Sequence, residues 1–590
     1  MTQALHHHGA GRLAEAQAAC VAALRTDPSN FAATNLLGVL LFQRGDLNGA
    51  ATAFTAALRG RPDAHDVLLN LGVVQQALGR AGAAAGTLRR LIALQPTHVG
   101  AYSRLGVVMQ LVGDIDGATV PARRAVRLQP HSAQEHGNAA VLQLAAGSLP
   151  AAVGLLRNTL ALDPADAGVY RLLGTSRFNL GTPSEAEVEF RRSLQLDPGH
   201  PDAGHALVRS ARYSRAAAAR HDAGAVPGLV VRGHFSGVSG YAHMTNRYVA
   251  QLLARRVPLD LIGLFGGETW ENGPVPPPVR ARAALHFLVP PAVEPVPGLP
   301  TVLFSMFEGT RIPPAWGRLC QRFETVIVPA ESSRVAWVDA GYPADRLRVC
   351  PLGVDAQMPD GPSLTFAARD GRRVTDYRRR FLNVSDFLPR KNVDGLLRVW
   401  LTSTQAADDA VLVLKLGKGN PKTRAGIEEL FAQTEAAVGR RREQAAPIVV
   451  LDQAFDEEGM TALFRMATHY VSLSHGEGWD LPMSKAGAMG LQLVAPRNSA
   501  YLEYLDDEVA HMIPCAVGPA HLPYSTDPWP PFHGLDWWEP DEQAAAAVIR
   551  SILDGCDGPP KDARTRLLQR FTWSQATERL LAVLRDAGAL

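Results

Sequence analysis

A short loop in the last third of the chain has the residue types for binding a charged, oxygen-rich ligand. Glu477, Gly478 and Asp480 lie between the apolar segment 469–474 and the segment 482–489, which begins with proline. The first segment is typical of a buried strand and the second of a short helix, since proline is favoured in a first helical turn. Such a loop lies at the carboxyl end of a parallel strand, where α/β proteins bind ligands. The amides that begin the helix would favour an anion nearby.

Lysine usage points to the same part of the chain. The chain has only six lysines among its 59 basic residues, and the first of them is Lys391. Lys391, Lys415 and Lys485 each fall at a predicted strand end or helix start. Lys391 itself follows the predicted strand 381–384 and precedes the predicted helix 393–400. A compact ammonium at a helix start is a good phosphate ligand, so these lysines are candidates for binding a phosphorylated compound.

Two earlier loops follow predicted strands in the same way. Gly233, Gly237 and Gly240 stand between a strand at 229–231 and a helix at 242–254. Glycine lets the backbone approach a phosphate, although the same spacing also fits an ordinary turn.

Glu308 and Arg311 follow the predicted strand 301–306. Glu308 could orient the hydroxyl group of an acceptor, or it could form a loop ion pair, and the residues leave both interpretations open.

The sequences of these loops resemble the motifs of the retaining glycosyltransferases of family 4, which have the two-domain GT-B fold. Their pattern, S-x-x-E-G-x-G-L-P-x-x-E-A-M-A-x-G, is matched in type, or within one residue, at Ser474, Glu477, Gly478, Leu481, Pro482, Ala486, Met489 and Gly490. Pro351-Leu352-Gly353-Val354-Asp355 resembles the P-x-G-V-D turn that ends the family's first domain. Arg390-Lys391-Asn392 resembles its Arg-Lys-Asn turn. The resemblance covers about residues 229–585.

The resemblance implies roles for individual residues. Glu477 would contact the donor sugar and Lys391 the donor diphosphate, and Glu308 is the third catalytic candidate. The implied donor-binding residues are Gly237, Gly240, Arg390, Lys415, Gly478, Trp479, Asp480, Leu481, Lys485 and Ser499, with Glu503 four residues after Ser499 as in the family. Neither a metal nor another cofactor is expected, because cationic side chains offset the charge of the leaving diphosphate.

Two positions depart from the family pattern, and one arginine of the family is missing. Asp480 replaces a glycine, and Lys485 stands where the family has a second glutamate that holds the ribose. The family also carries an arginine shortly before its diphosphate lysine, where this chain has Ser385 and Asp386. We expect Lys415 or Lys485 to compensate for that missing cation.

The first part of the chain is built from a repeat of 34 residues. Glycine, proline and alanine recur with this period at Gly11, Gly45, Gly79, Gly113, Gly147 and Gly181, at Pro28, Pro62, Pro96, Pro130, Pro164 and Pro198, and at Ala16, Ala50, Ala84, Ala118, Ala152 and Ala186. This is the tetratricopeptide period, with two helices in each repeat. We predict five full repeats, a half repeat at the start, and a capping helix over 201–221. Such a stack has a concave surface for proteins or peptides, although a dimerising or purely structural stack is the alternative.

Composition and charge bear on the class of binding partner and on the cellular compartment. The net charge of +2 and the absence of a basic run favour neither a nucleic-acid nor a membrane partner, and no apolar run reaches membrane-spanning length. The five scattered cysteines and the lack of a recognisable signal peptide favour a cytoplasmic, reducing compartment. His6-His7-His8 point in three directions on a helix, so we do not expect a metal site there.

The sequence therefore predicts an α-helical tetratricopeptide superhelix followed by an α/β GT-B module of two doubly wound domains. The expected boundaries are 1–221 for the repeats, 226–375 and 376–560 for the two domains, and 561–590 for a C-terminal helix that packs back on the module. The expected substrate is a nucleotide-sugar, with a protein bound by the repeats as acceptor or partner. A glycan or lipid-linked acceptor, an inactive scaffold, and a homo-oligomer stay open.

Overall fold

The protein is described by a computed structural model that divides into two compact units, residues 1–207 and 208–590. The described residues are 1–200, 202–208, 210–211, 226–235, 239–263, 279–293, 295–296, 298–321, 323–355, 364–417, 421–521, 532, 534–556 and 558–590. Within these ranges, no helix is both long enough and apolar enough to cross a membrane.

The first unit consists of six successive helix pairs. Its helices are α1 (Thr2–Gly9), α2 (Leu13–Thr26), α3 (Phe31–Gln43), α4 (Leu47–Gly60), α5 (His65–Ala77), α6 (Ala81–Leu94), α7 (Val99–Leu111), α8 (Ile115–Leu128), α9 (Ala133–Ala145), α10 (Leu149–Leu162), α11 (Ala167–Asn179) and α12 (Pro183–Leu196). The prediction of a half repeat at the start is corrected, because α1 and α2 form a pair with a shortened first helix of 8 residues. Of the predicted capping helix, residues 202–208 and 210–211 are helical and the remainder lies outside the described residues.

The periodic residues explain why the pairs form. The six glycines between the helices of each pair all have a left-handed φ, from 71° to 85°, which favours glycine over any residue with a side chain. The six periodic alanines are each fully buried. A second glycine, Gly38, lies against the ring of Phe54 so closely that an added Cβ would come within 2.6 Å of it. Small residues thus let the two helices of a pair approach.

Within its described residues, the second unit contains two six-stranded sheets and one hairpin. The strands are β1 (Val226–Gly233), β2 (Leu259–Gly263), β3 (Val279–Phe287), β4 (Thr301–Phe304), β5 (Thr325–Val328), β6 (Leu347–Val349), β7 (Arg379–Ser385), β8 (Ala410–Leu416), β9 (Ile448–Leu451), β10 (His469–Val471), β11 (Gln492–Pro496), β12 (His511–Ile513), β13 (Cys515–Pro519) and β14 (Asp536–Pro540).

Both six-stranded sheets are parallel and doubly wound. The first has the order β2-β1-β3-β4-β5-β6 and the second the order β12-β11-β10-β7-β8-β9. The strands β4, β5, β8 and β10 are buried along their whole length, as expected when helices cover both faces of a parallel sheet. The hairpin pairs β13 with β14 in the antiparallel sense. Helical repeats followed by an α/β module are therefore confirmed.

Helices connect the parallel strands. They are α13 (Gly240–Ala254), α14 (Pro314–Cys320), α15 (Glu331–Asp339), α16 (Val393–Ser403), α17 (Pro421–Val438), α18 (Glu457–Met466), α19 (Leu481–Ala488), α20 (Glu542–Asp554), α21 (Arg564–Arg570) and α22 (Trp573–Asp586). The last helix, α22, packs against α13, which follows the first strand of the first sheet. The Arg255 guanidinium donates to the Glu578 carboxylate at 2.7 Å across this contact.

The predicted strand at 469–474 is shorter in the structure. β10 ends at Val471 because the following residues turn towards the loop after β7. The Leu473 carbonyl accepts a hydrogen bond from Asn392 Nδ2 at 2.9 Å, and Ser474 Oγ donates to the Arg390 carbonyl at 3.1 Å. These bonds bring the loop after β10 to the loop after β7.

Candidate functional site

The centre of the site is the side chain of Glu477, which lies between two cations. Its Oε1 accepts from Lys391 Nζ at 2.6 Å, and its Oε2 lies 2.8 Å from Arg390 Nη1. Burial alone would raise the pKa of this carboxyl, but Arg390 and Lys391 together outweigh burial and lower the pKa to about 2. Glu477 is therefore a buried carboxylate that keeps its charge at neutral pH.

The site joins the two parallel sheets. Arg390, from the second sheet, also forms an ion pair with Glu308, which follows β4 of the first sheet, at 3.2 Å. Gly476 lies directly against the Glu308 backbone, since a Cβ at this position would be 1.9 Å from the carbonyl oxygen of Glu308. A Cβ at Gly478 would come within 2.7 Å of Met306. The two strand-end loops thus touch, and glycine is required for this approach.

Two residues in left-handed conformations orient the loops. Asn392 has φ 50° and caps α16, accepting from the Gly395 amide at 3.1 Å. Asp480 has φ 56° and caps α19, accepting from the Met483 amide at 3.2 Å. Asparagine and aspartate tolerate this conformation better than most residues and are good caps. The anion expected at the start of α19 is thus supplied by the Asp480 side chain itself.

Asp480 has the opposite electrostatic environment to Glu477. Burial first, and then the charge of Glu477, raise the pKa of Asp480 to about 6. Its Oδ2 accepts from the Tyr501 hydroxyl at 2.6 Å, and that hydroxyl lies 2.9 Å from Ser472 Oγ. A hydroxyl partner favours the charged form less strongly than the two cations beside Glu477 do.

Ser499 holds the backbone of the loop after β10, which contains Glu477. Its Oγ accepts from the Glu477 amide at 2.9 Å and donates to Asn498 Oδ1 at 2.8 Å. Asn498 in turn donates to the Ser474 carbonyl at 3.1 Å. Glu503, the other residue predicted in this segment, lies away from Glu477, where its carboxylate accepts from the Glu331 amide at 2.5 Å.

The hairpin holds both loops from the side. The Asp536 carbonyl accepts from the Thr310 amide at 3.2 Å, next to Glu308, and the Trp538 amide donates to the His475 carbonyl at 3.1 Å. The His475 ring stacks on Trp537 with centroids 4.1 Å apart, and its Nδ1 donates to the Trp538 carbonyl at 2.9 Å. The hairpin strand that contains Trp537 and Trp538 therefore borders the site, and residues 522–531 and 533 lie outside the described residues.

Lys485 belongs to a different group of charges. Its Nζ donates to Thr461 Oγ1 at 2.9 Å and lies over the ring of Phe464. Burial lowers the pKa of Lys485, while the nearby carboxylates of Glu457 and Asp355 oppose that change. Arg247 of α13 contacts both of these carboxylates. The structure thus places Lys485 with a second group of charges rather than beside Glu477.

The other predicted donor-binding residues are dispersed. Lys415 ends β8, where its Nζ donates to the Gly417 carbonyl at 2.6 Å. Gly240 begins α13, whose cap is Ser239, and Leu481 begins α19 and packs on the core. The Trp479 side chain is 1% exposed and packs against Tyr504 and Phe571. Gly237 lies outside the described residues.

The structure thus brings together, from the predicted set, Glu308, Arg390, Lys391, Glu477, Gly478, Asp480 and Ser499. The Trp479 ring is directed into the core, where it packs against other aromatic rings instead of facing the charged groups. Donor binding by the Trp479 ring stays a prediction, and the burial of the ring does not favour it.

Sequence reasoning missed three residues that shape the site. Tyr501 could have been noticed as an aromatic hydroxyl two residues after Ser499. Tyr241, whose hydroxyl accepts from the Met306 amide at 3.0 Å, follows Gly240 directly. Nothing in the spacing of Trp538 indicates that it lies beside Gly476. Among the described residues, no group of three or more histidine, cysteine, aspartate or glutamate side chains could hold a metal ion.

Several solved structures are similar to parts of this chain. A structure of MamA shares 22% identity over 28% of this chain and 92% of its own, with a TM-score of 0.27. A tetratricopeptide repeat protein from Parabacteroides merdae shares 19% identity over 37% of this chain and 87% of its own, with a TM-score of 0.32. HepE from Anabaena, in complex with UDP and glucose, shares 13% identity over 61% of this chain and 100% of its own, with a TM-score of 0.43.

Comparison with curated protein sequences gave no match. Two family models, both described as tetratricopeptide repeat, match the first unit. One covers residues 1–57 and 122–201, and the other covers residues 41–106. Residues 1–106 and 122–201 are therefore tetratricopeptide repeats.

Proposed function

We propose that the chain is a glycosyltransferase that moves a sugar from a nucleotide-sugar donor to an acceptor hydroxyl with retention of configuration. The observation that supports this most strongly is the clamp of Arg390 and Lys391 on the buried carboxylate of Glu477. The clamp stands at the carboxyl ends of strands in a parallel sheet, where α/β proteins bind ligands. It combines the two charge types that such a donor needs, cations for a diphosphate and a carboxylate for sugar hydroxyls.

The charges of the clamp suggest how a donor would bind. The carboxylates of Glu477 and Glu308 balance the cations of Arg390 and Lys391 within hydrogen-bonding distance. A diphosphate that binds these two cations would release Glu477 to accept hydrogen bonds from the donor sugar. Lys391 and Arg390 would then offset the negative charge that develops on the leaving diphosphate. The acceptor hydroxyl would attack from the face of the leaving group.

The two parallel sheets would correspond to the two domains of the GT-B fold, with boundaries at 226–375 and 376–560. Glu308 comes from the first of these and is the candidate for orienting the acceptor hydroxyl. The repeats would bind a protein acceptor or partner on the surface formed by the first helices of successive pairs. We place the enzyme in the cytoplasm, where nucleotide-sugars are made, and propose that it acts without a metal.

The test is release of nucleotide from a panel of UDP-, GDP-, dTDP- and CMP-sugars. We expect selective turnover of one donor, which Lys391→Ala and Glu477→Ala abolish. Lys561→Ala is the matched control, because this lysine contacts the Asp507 carbonyl and no residue of the clamp. If the chain turns over no donor, and no donor raises its melting temperature, the proposal fails and a non-enzymatic scaffold becomes the better interpretation.

A further inference from the structure

The second helices of the repeats carry arginines that recur with the repeat. Arg89, Arg123, Arg157 and Arg191 are each 34 residues apart, so they occupy the same position in four successive pairs. All four are exposed. Because stacked repeats place equivalent residues side by side, these side chains form a row that runs along α6, α8, α10 and α12.

The last arginine of the row is neutralised within its own helix, and the other three have no acid at the equivalent place. Glu187 lies four residues before Arg191, and the two form an ion pair of 2.6 Å. The positions four residues before the other arginines hold alanine, threonine and valine, namely Ala85, Thr119 and Val153. A carboxylate one turn earlier is a common partner for an exposed arginine in a helix. Three positions of the row thus lack the partner that the fourth one has.

The helices that carry these three arginines are basic as a whole. Together, α6, α8 and α10 contain one acidic residue and six arginines, namely Asp116 and Arg89, Arg90, Arg123, Arg124, Arg127 and Arg157. In contrast, α12 contains three glutamates, one of which, Glu189, also interacts electrostatically with Arg157. Since the whole chain has a net charge of only +2, this positive charge is a local feature.

An apolar cavity lies within the row. It has a volume of about 400 Å³ between α8 and α10 and is lined by Val120, Arg123, Val126, Arg127 and Leu155. Val120 is 58% exposed at its edge. A cavity of this size accepts a large aliphatic or aromatic side chain, and its two guanidinium groups would flank that side chain with positive charge.

We propose that this arginine face, defined as Arg89, Arg123, Arg127 and Arg157, binds an acidic segment of another protein that inserts an apolar side chain beside Val120. Charge complementarity would orient the segment, and the apolar side chain would provide the anchor. Nucleic acid and anionic membranes also attract arginine, but a continuous row of phosphates leaves the apolar walls of the cavity unused. The arginine face is separate from the surface of the first helices and does not depend on sugar transfer.

The test uses the full chain and a fluorescent synthetic peptide that is rich in glutamate and carries leucine and phenylalanine. We expect binding that weakens with salt and falls at least about ten-fold in the variant Arg89→Glu, Arg123→Glu, Arg127→Glu. Val120→Ser should weaken it about three-fold, because the anchor loses apolar contact. The matched control reverses three other exposed arginines, Arg346, Arg564 and Arg585, and should bind like the unmodified chain.

The proposal predicts that a peptide with serine in place of leucine and phenylalanine binds more weakly, and that the three arginine-to-glutamine changes cause a smaller loss than the reversals. All substituted side chains are exposed, so the helical circular dichroism of each variant should be unchanged. Failure of the peptide to bind, equal binding by the triple reversal, or tighter binding of duplex DNA or phosphatidylserine vesicles would overturn the proposal.

Discussion

The repeats and the strand-end loops place charges in opposite ways. In the repeats, Glu187 and Arg191 are one helical turn apart and meet at a partly exposed surface. In the second unit, Glu477 meets Lys391 across 86 positions of the chain, and its side chain is only 5% exposed. Local pairs cost little to form and contribute little, whereas a buried pair is destabilising to break because it leaves an uncompensated charge. We therefore expect that removing one partner of the Glu477 clamp destabilises the fold much more than removing one partner of the exposed pair.

The largest expected effect comes from breaking the clamp. Glu477→Gln leaves Lys391 without its carboxylate in a buried site and Arg390 with Glu308 alone, so we expect a loss of about 3 to 5 kcal/mol in the free energy of unfolding. All nine tryptophans follow residue 208, so tryptophan fluorescence during urea unfolding reports on the second unit alone. A change below about 1 kcal/mol would mean that the clamp does not stabilise the fold.

The second test compares a tightly packed glycine of the strand-end loops with an unpacked glycine of the repeats. Gly476→Ala would place a methyl group against the Glu308 carbonyl, and because a backbone oxygen cannot move away easily, we expect a loss of about 3 kcal/mol by urea unfolding. Gly154→Ala in α10 is the matched control, since nothing lies within 4 Å of an added Cβ there. It should stabilise the repeats by about 0.5 to 1 kcal/mol, measured from the part of the helical circular dichroism transition that does not coincide with the tryptophan transition of the second unit. Equal effects of the two changes would contradict the close contact of the loops.

The contributions of Glu477 and Asp480 to the free energy of unfolding should change with pH in opposite directions. The pKa of Glu477 is lowered to about 2, so its stabilisation is present above its unfolded pKa and is lost as pH falls. The pKa of Asp480 is raised to about 6, so the folded state holds an extra proton and loses stability as pH rises from about 4 to about 6. Asp480→Asn should remove that loss and keep the cap of α19.

Urea unfolding of Asp480→Asn across this pH range measures the effect. We expect the variant to match the unmodified protein near pH 4 and to exceed it by about 3 kcal/mol above pH 7. A difference that does not change with pH would show that Asp480 does not titrate in this range.

The smallest effect is expected in the repeats. Glu187→Gln removes the partner of the exposed Arg191, and pairs of this kind contribute about 0.5 kcal/mol or less. Helical circular dichroism during urea unfolding should therefore show almost no shift. A loss as large as that of Glu477→Gln would remove the contrast between the two units.

Sequence reasoning succeeded where a structural feature depends on residues close together in the chain. The period of 34 residues predicts the helix pairs because each glycine, alanine and proline acts on its own pair. The strands of the second unit were recognisable because a parallel sheet buried on both faces needs apolar runs. The turns at Lys391 and Glu477 were recognisable because each lies at a strand end.

Long-range pairing could not be predicted from the sequence. No local pattern indicates that Arg390 bridges Glu308 and Glu477, because that contact requires the loops of both sheets to meet. The sequence also did not indicate where the Lys485 side chain would lie, because its contact with Thr461 joins two helices that are distant in the chain. Its role in donor binding stays a prediction. Trp538 of the hairpin was missed for the same reason, because its hydrogen-bond partner His475 is distant in sequence.

The central claim is that Lys391 and Glu477 belong to a nucleotide-sugar site. Calorimetric titration of UDP, GDP and dTDP into the unmodified protein and into Lys391→Ala tests it most directly. We predict that one nucleotide binds the unmodified protein and binds Lys391→Ala about 10- to 100-fold more weakly, as for the loss of a hydrogen bond to a charged group. Equal binding to both proteins, or binding of no nucleotide, would contradict the claim.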